Sequence, residues 1–194
     1  MAQTECTLAQ WLAVMGTSIQ EQAKLGTYGK DLYGAGAELP MYYVSHDEAT
    51  SFCETVQGSV TLPAGWKLAL PSEAQWECAC RAGTTGPYAS TLDKLARYSD
   101  NSESTTHAAG GKQANAWGLY DMHGNVWEWC ADWYDSELLG GTDSRGATTG
   151  AYRVNRGGSW RSDAAYCSSA SRYSNSPDCR FNFMGFRLAL VPSL

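Results

Sequence analysis

Gly118-Leu119-Tyr120-Asp121-Met122-His123-Gly124-Asn125-Val126-Trp127-Glu128-Trp129 is the stretch from which the fold can be read. Two carboxylates, Asp121 and Glu128, flank a turn that contains Gly124, and a short strand is expected over 126–129. Backbone carbonyls of such a turn could converge with the carboxylates on a hard cation, since calcium takes mixed carbonyl and carboxylate oxygens. The same residues allow a second reading, in which Glu128 pairs with an arginine while Trp127 and Trp129 pack the core.

Toward the N-terminus the chain reads as three helices with shared punctuation. Thr7 with Gln10, Ser45 with Glu48 and Ser72 with Gln75 each form an S/T-x-x-E/Q capping box. The helices are expected to stop at Gly16, Gly58 and Gly83. Their apolar faces carry Leu8, Trp11, Leu12 and Met15, then Ala49, Phe52, Cys53 and Val56, then Trp76 and Ala79. Between the last two helices, residues 66–70 alternate like a short strand ended by Pro71. Residues 84–115 and 135–151 read as loops, and further strands are expected over 152–156 and 186–191. The class is α+β with a large irregular fraction.

Toward the C-terminus, a stiff frame alternates with a permissive filling. The frame is Arg156-Gly157-Gly158-Ser159-Trp160, then Cys167, Ala170, Arg172, Pro177 and Arg180, then Gly185-Phe186-Arg187-Leu188-Ala189. The filling is Ser, Tyr, Asn, Asp, Phe and Arg, without helical or strand periodicity. Tyr and Phe give rigid contact area and Ser and Asn adaptable hydrogen bonding, the composition of a binding surface. A polar surface loop has the same composition.

Composition bounds the rest. With 194 residues, 43% of them hydrophobic, one domain over 1–194 is expected. Eight Trp, eleven Tyr and twenty Gly fit a turn-rich fold whose gaps are filled by aromatic rings. The net charge of -6 and the scattered Lys and Arg exclude nucleic acid as an expected partner. No apolar run reaches membrane-spanning length, and the first residues lack the basic start and apolar stretch of a signal peptide. Seven cysteines are awkward for a secreted disulfide framework. As written, the chain is expected to be soluble and cytoplasmic.

Leu70–Glu77 in sequence Leu-Pro-Ser-Glu-Ala-Gln-Trp-Glu, the 118–129 block, and Arg156–Trp160 with Gly185–Ala189 together resemble the formylglycine-generating enzyme (sulfatase-modifying factor) family. The resemblance covers nearly the whole chain, with its motifs in the family's order. It implies a C-type-lectin-like fold, with a small core of short strands and two or three helices supporting long ordered loops. It also implies a calcium site formed by the side chains of Asp121 and Glu128 and the carbonyls of Gly124 and Val126. Family domains usually begin with a further strand upstream of Thr4, so a trimmed or naturally short start is expected here.

The family's oxidases hold copper through two cysteines, three and eight residues beyond the Ser of Gly-Gly-Ser. Here those positions are Ser162 and Cys167. A serine hydroxyl is a hard, neutral, poor ligand for Cu(I), so no copper is expected and no catalytic residue is assigned. His46, His107 and His123 lack metal-ligand spacing. Cys78 and Cys80 would point to nearly opposite sides of a helix, and Cys6, Cys53 and Cys130 sit among core residues. No C-x-x-C, nucleophile elbow or phosphate loop occurs.

A family scaffold with a broken copper pair and a framed tail resembles the variable proteins of diversity-generating retroelements. That resemblance implies a hypervariable ligand-binding region over 156–190, diversified where a template has adenine. Asn codons changed in this way cannot become Lys, Glu, Gln, Trp or Met, and between Arg161 and Met184 only Met184 belongs to that set. The expected contact residues are Arg161, Ser162, Asp163, Tyr166, Ser168, Ser169, Tyr173, Ser174, Asn175, Asp178, Cys179, Phe181, Asn182 and Phe183, forming one exposed face. A core role is the alternative for Phe181 and Phe183. The expected function is therefore binding of a protein or other macromolecular ligand. The alternatives are a copper oxidase acting on a sulfatase cysteine, or an accessory structural domain.

Overall fold

In the computed structural model, which describes residues 1–137 and 146–193, the three expected helices form on their capping boxes. Thr7 Oγ1 accepts the Gln10 N–H at 3.2 Å, and Gln10 Oε1 accepts the Thr7 N–H at 2.9 Å. This starts α1 (Leu8–Met15), which Gly16 ends in the left-handed region at φ 71°. The same reciprocal pair starts α3 (His46–Gly58) and α4 (Glu73–Arg81). It also starts α2 (Ile19–Ala23), where Ser18 and Glu21 form a fourth box. That S-x-x-E was present in the sequence but lies in front of too short an apolar pattern to stand out.

Of the three expected helices, the second stops at Gly58 as expected, and the third stops short of Gly83. Gly58 is the last residue of α3, and Ser59 caps it in the right-handed region. Ala82, not Gly83, takes the left-handed cap of α4 at φ 45°. A short α5 (Leu92–Leu95) interrupts the loop 84–115, with Leu92 and Leu95 buried. The expected loop 135–151 includes 138–145, which lie outside the described residues.

The strands are β1 (Trp66–Ala69), β2 (Trp127–Trp133), β3 (Arg153–Arg156), β4 (Arg172–Asn175), β5 (Met184–Gly185) and β6 (Ala189–Pro192). They form a four-stranded sheet in the order β4-β3-β2-β5, with β2 and β5 parallel, and a separate antiparallel pair β1-β6. Strand β4 lies at the sheet edge inside the framed tail, where no strand was expected. Its Arg-Tyr-Ser-Asn carries no buried alternation, and its register comes from backbone pairing with β3, Asn155 opposite Tyr173.

The largest core cluster joins α1, α3 and the Gly-Phe-Arg segment. Trp11 stacks on Phe52 at 5.8 Å, and Phe52 meets Phe186 edge-on at 5.2 Å. Rings buried this fully contribute about 2–3 kcal/mol each. Backbone bonds bind the two ends of the chain to the same place. The Ala2 N–H donates to Leu188 O at 2.7 Å and the Cys6 N–H to Phe186 O at 2.9 Å. At the turn of the 118–129 block, Gly124 has φ 94°, and a Cβ there would meet Arg97 O at 2.2 Å. Only glycine allows that approach.

Candidate functional site

Three frame arginines tie the tail to the helices beneath it. The guanidinium of Arg156, fully buried, donates to the carbonyls of Ser169, Ala170 and Ser171 at 2.6, 3.2 and 2.8 Å, and to Glu77 of α4. Arg172 clasps Glu73 of α4 through two bonds of 2.6 and 2.8 Å. Arg180 reaches Glu48 at 2.9 Å, the capping-box residue of α3. Gly158, at φ 75°, lets the backbone pass Cys167, whose sulfur would lie 2.6 Å from a Cβ. The path of the tail is thus set by frame side chains and backbone, largely without the filling.

Over this support opens a cleft of about 350 Å³. The filling lines it with Arg161, Ser162, Asp163, Tyr166, Tyr173, Asn175 and Phe183, and the frame and β2 add Ser159 and Trp127. Strand alternation sends Tyr173 and Asn175 to the same side of β4. Tyr166 and Tyr173 are about half exposed, and the Tyr173 ring lies 5.8 Å from Trp127. The side-chain roles of Trp127 and Ser159 were not legible in the sequence, because Ser159 belongs to the frame and Trp127 read as core packing.

The other seven expected contacts are spread more widely. Ser169 is a correction: it is fully buried, its N–H donates to Pro87 O at 2.7 Å, and its hydroxyl accepts from Cys80. A surface role is closed to it because Arg156 pulls its carbonyl inward. Ser168 and Ser174 are half-buried outside the cleft lining, Ser174 on the strand position that alternates with Tyr173 and Asn175. Cys179 lies toward Thr27, whose hydroxyl accepts the Arg180 N–H at 2.8 Å, and Asp178 is exposed. Phe181 and Phe183 are half-buried and pack against the main core, so they combine both readings offered for them. The Asn182 carbonyl accepts the Trp160 indole N–H.

The 118–129 turn holds its acidic groups inside the protein. Asp121 is buried with φ 56° and accepts the Gly110 N–H at 2.6 Å. Burial raises its carboxyl above the usual range. Glu128 takes two bonds of 2.7 Å from Arg187 and one of 2.8 Å from the Trp76 indole. Nearby, Glu5 accepts from Asn125 and the Val126 N–H, and burial, with Asp121 and Glu128 adding, raises it well above the carboxylate range. Among the described residues no three His, Cys, Asp or Glu side chains are grouped as a metal site. Of the expected calcium donors Asp121, Gly124, Val126 and Glu128, two are side chains and two are backbone carbonyls, and the Glu128 carboxylate is paired with Arg187. The arginine pairing is the arrangement present.

At the positions where the resemblance would place copper cysteines stand Ser162 and Cys167. Ser162 Oγ accepts the Ser159 N–H at 3.0 Å and lies 3.0 Å from the Ser159 hydroxyl. Cys167 is fully buried, and burial pushes its thiol up to about 12, so it stays protonated at neutral pH. A hydroxyl and a buried thiol do not make a Cu(I) donor pair. Cys78 is exposed and Cys80 buried, on opposite sides of α4. Among the described residues, no helix is long and apolar enough to cross a membrane.

The family described as the Sulfatase-modifying factor enzyme 1-like domain matches residues 1–191. The formylglycine-generating enzyme of Thermomonospora curvata is 30% identical over 200 residues, 86% of this chain and 62% of that protein. That of Streptomyces coelicolor is 32% identical over 173 residues, 77% of this chain and 52% of that protein. The chain thus spans 62% and 52% of the length of these two enzymes. Among solved structures, Treponema denticola variable protein 1 superimposes with a TM-score of 0.81 at 29% identity, covering 95% of this chain and 81% of that one. The family's fold therefore occurs in proteins named as enzymes and in one named as a variable protein. By sequence match and by fold, this chain belongs to the family of sulfatase-modifying factor enzyme 1-like domains.

Proposed function

We propose that the domain is a non-catalytic ligand-binding protein whose 156–190 region displays a diversified surface. One observation carries the reading. Arg156, Arg172 and Arg180 hold the tail through carbonyls and helix carboxylates, while seven filling side chains converge on one cleft. A backbone held in this way can exchange the side chains in the cleft without losing its path. The similarity to a variable protein over 95% of the chain supports the same reading, and its ligand would be a protein or other macromolecule. The copper positions support it too, because Ser162 removes one of the two thiolates that oxidase chemistry would need.

The test is the DNA beside the gene. A near-copy of the codons for residues 160–185, differing only where the copy has adenine and accompanied by a reverse transcriptase gene, is the expected finding. An invariant tail in sibling genes, with no such copy, would overturn the diversified reading.

A further inference from the structure

Five arginines lie between residues 156 and 187, and four are committed to carboxylates inside the protein. Arg161 differs. It is exposed, and among the described residues no carboxylate lies within ion-pair distance of it. Its guanidinium instead lies 5.2 Å from the centre of the Phe183 ring and 5.9 Å from that of Trp160. A guanidinium resting on an aromatic ring keeps the N–H groups along its edge free, in the planar fork that matches a carboxylate. The ring contact also restricts the side chain before any ligand arrives, which lowers the entropy lost on binding.

Phe183 is the first ring of a row. Phe181 stacks on it at 5.1 Å with planes 3° apart, and Tyr28 stacks on Phe181 at 5.7 Å with planes 15° apart. Tyr28 comes from outside the framed region and is 87% exposed. Its loop is tied to the tail in both directions, Thr27 N–H to Arg180 O at 2.9 Å and Arg180 N–H to Thr27 Oγ1 at 2.8 Å. Tyr28 is therefore a fixed part of a face whose other members are filling residues.

We propose that this row recognises a peptide segment of a protein partner in which an acidic residue neighbours an apolar one. The carboxylate takes the fork of Arg161, and the apolar side chain packs on Phe181 and Tyr28. Asp163, on the same cleft, repels a second acid there and so favours one register of the segment. The inference rests on the reading of this face as a ligand-binding surface.

The experiment pans the intact protein, immobilised, against a phage library of random 12-residue peptides, and measures synthetic copies of the recovered peptides on substituted proteins. Recovered peptides should carry Asp or Glu within two residues of an aromatic or aliphatic residue. Arg161→Ala should weaken them about tenfold, Arg161→Lys by several-fold through loss of the fork, and Tyr28→Ala by about fivefold. All three variants should keep the wild-type melting temperature, since both side chains are exposed. Peptides that lose binding with Tyr173→Ala but show no acidic preference, or ignore Arg161→Ala, would overturn the carboxylate site and leave the ligand-binding face standing. If no recovered peptide responded to substitution at Arg161, Tyr28 or Tyr173, both readings would fall.

Discussion

Arg187 and Glu128 meet through two parallel hydrogen bonds of 2.7 Å, with both side chains withdrawn from solvent. The pair joins the Gly-Phe-Arg segment to the 118–129 block, and Arg187 also donates to Tyr120 O at 2.8 Å. Arg187→Met would leave Glu128 buried with only the Trp76 indole for company. Breaking one side of such a pair costs about 3–5 kcal/mol, which urea denaturation would read as a lowered midpoint. Arg187→Met combined with Glu128→Leu should lose less than Arg187→Met alone. A loss below about 1 kcal/mol for the single change would contradict the structural role given to this pair.

The same pair decides the response to chelation. With Glu128 held by Arg187, EDTA should leave the melting temperature within about 2 °C of its value in millimolar calcium. A larger drop, reversed by calcium and not by magnesium, would return a cation to Asp121 and the carbonyls of Gly124 and Val126.

Ser162→Cys rebuilds the missing thiol beside Ser159, near which Cys167 also packs. The variant should take up Cu(I) against a colorimetric chelator, and the wild type should not. Stoichiometric Cu(I) on the wild type, with oxygen uptake in the presence of a cysteine-containing peptide, would favour the oxidase reading instead.

Frame and filling should separate in thermal melts. Tyr166→Ala and Tyr173→Ala remove half-exposed rings and should change stability by less than about 1 kcal/mol. Gly158→Ala introduces a Cβ 2.6 Å from the Cys167 sulfur at a positive φ, and should cost more than about 2 kcal/mol. Equal losses at both kinds of position would undo the distinction between a held backbone and exchangeable side chains.

His46 gives the stability a pH dependence of known sign. Burial, aided by the charge of Arg153, lowers its pKa to about 4, while Asp47 at 3.7 Å and the Cys130 carbonyl pull the other way. The folded state therefore holds fewer protons here than the unfolded state between pH 4 and 6.5. Its contribution is present above pH 6.5 and is lost as the pH falls toward 4, by roughly 3 kcal/mol in all. Glu5 acts in the opposite sense, because its raised carboxyl disfavours the fold as the pH rises above the ordinary carboxylate range. The His46 part is isolated by comparing wild type with His46→Gln in urea at pH 4.5 and 7. A stability difference that did not change with pH would rule it out.

Much of the fold was legible because its signals are local. A Thr or Ser three residues before Gln or Glu satisfies its own helix start within one turn, so the starts of α1, α3 and α4 could be read directly. Helix ends were less legible, since Ala82 can take a left-handed cap when the loop that follows requires it. The edge strand β4 was invisible for a different reason. Its pairing with β3 is made of backbone groups, which leave no trace in side-chain pattern.

Residue identity alone carried the family, three of the helix starts and the serine at position 162. These depend on residue identity at fixed spacing, which the linear chain carries in full. Only the tertiary structure decided which carboxylate meets which arginine, and so that Glu128 faces Arg187. It also decided that Ser169 is buried, that Trp127 and Ser159 complete the cleft, and that Tyr28 joins a face some 150 residues away along the chain. Those outcomes follow from long-range packing, in which a side chain's neighbours are set by the path of the backbone and not by its neighbours in sequence.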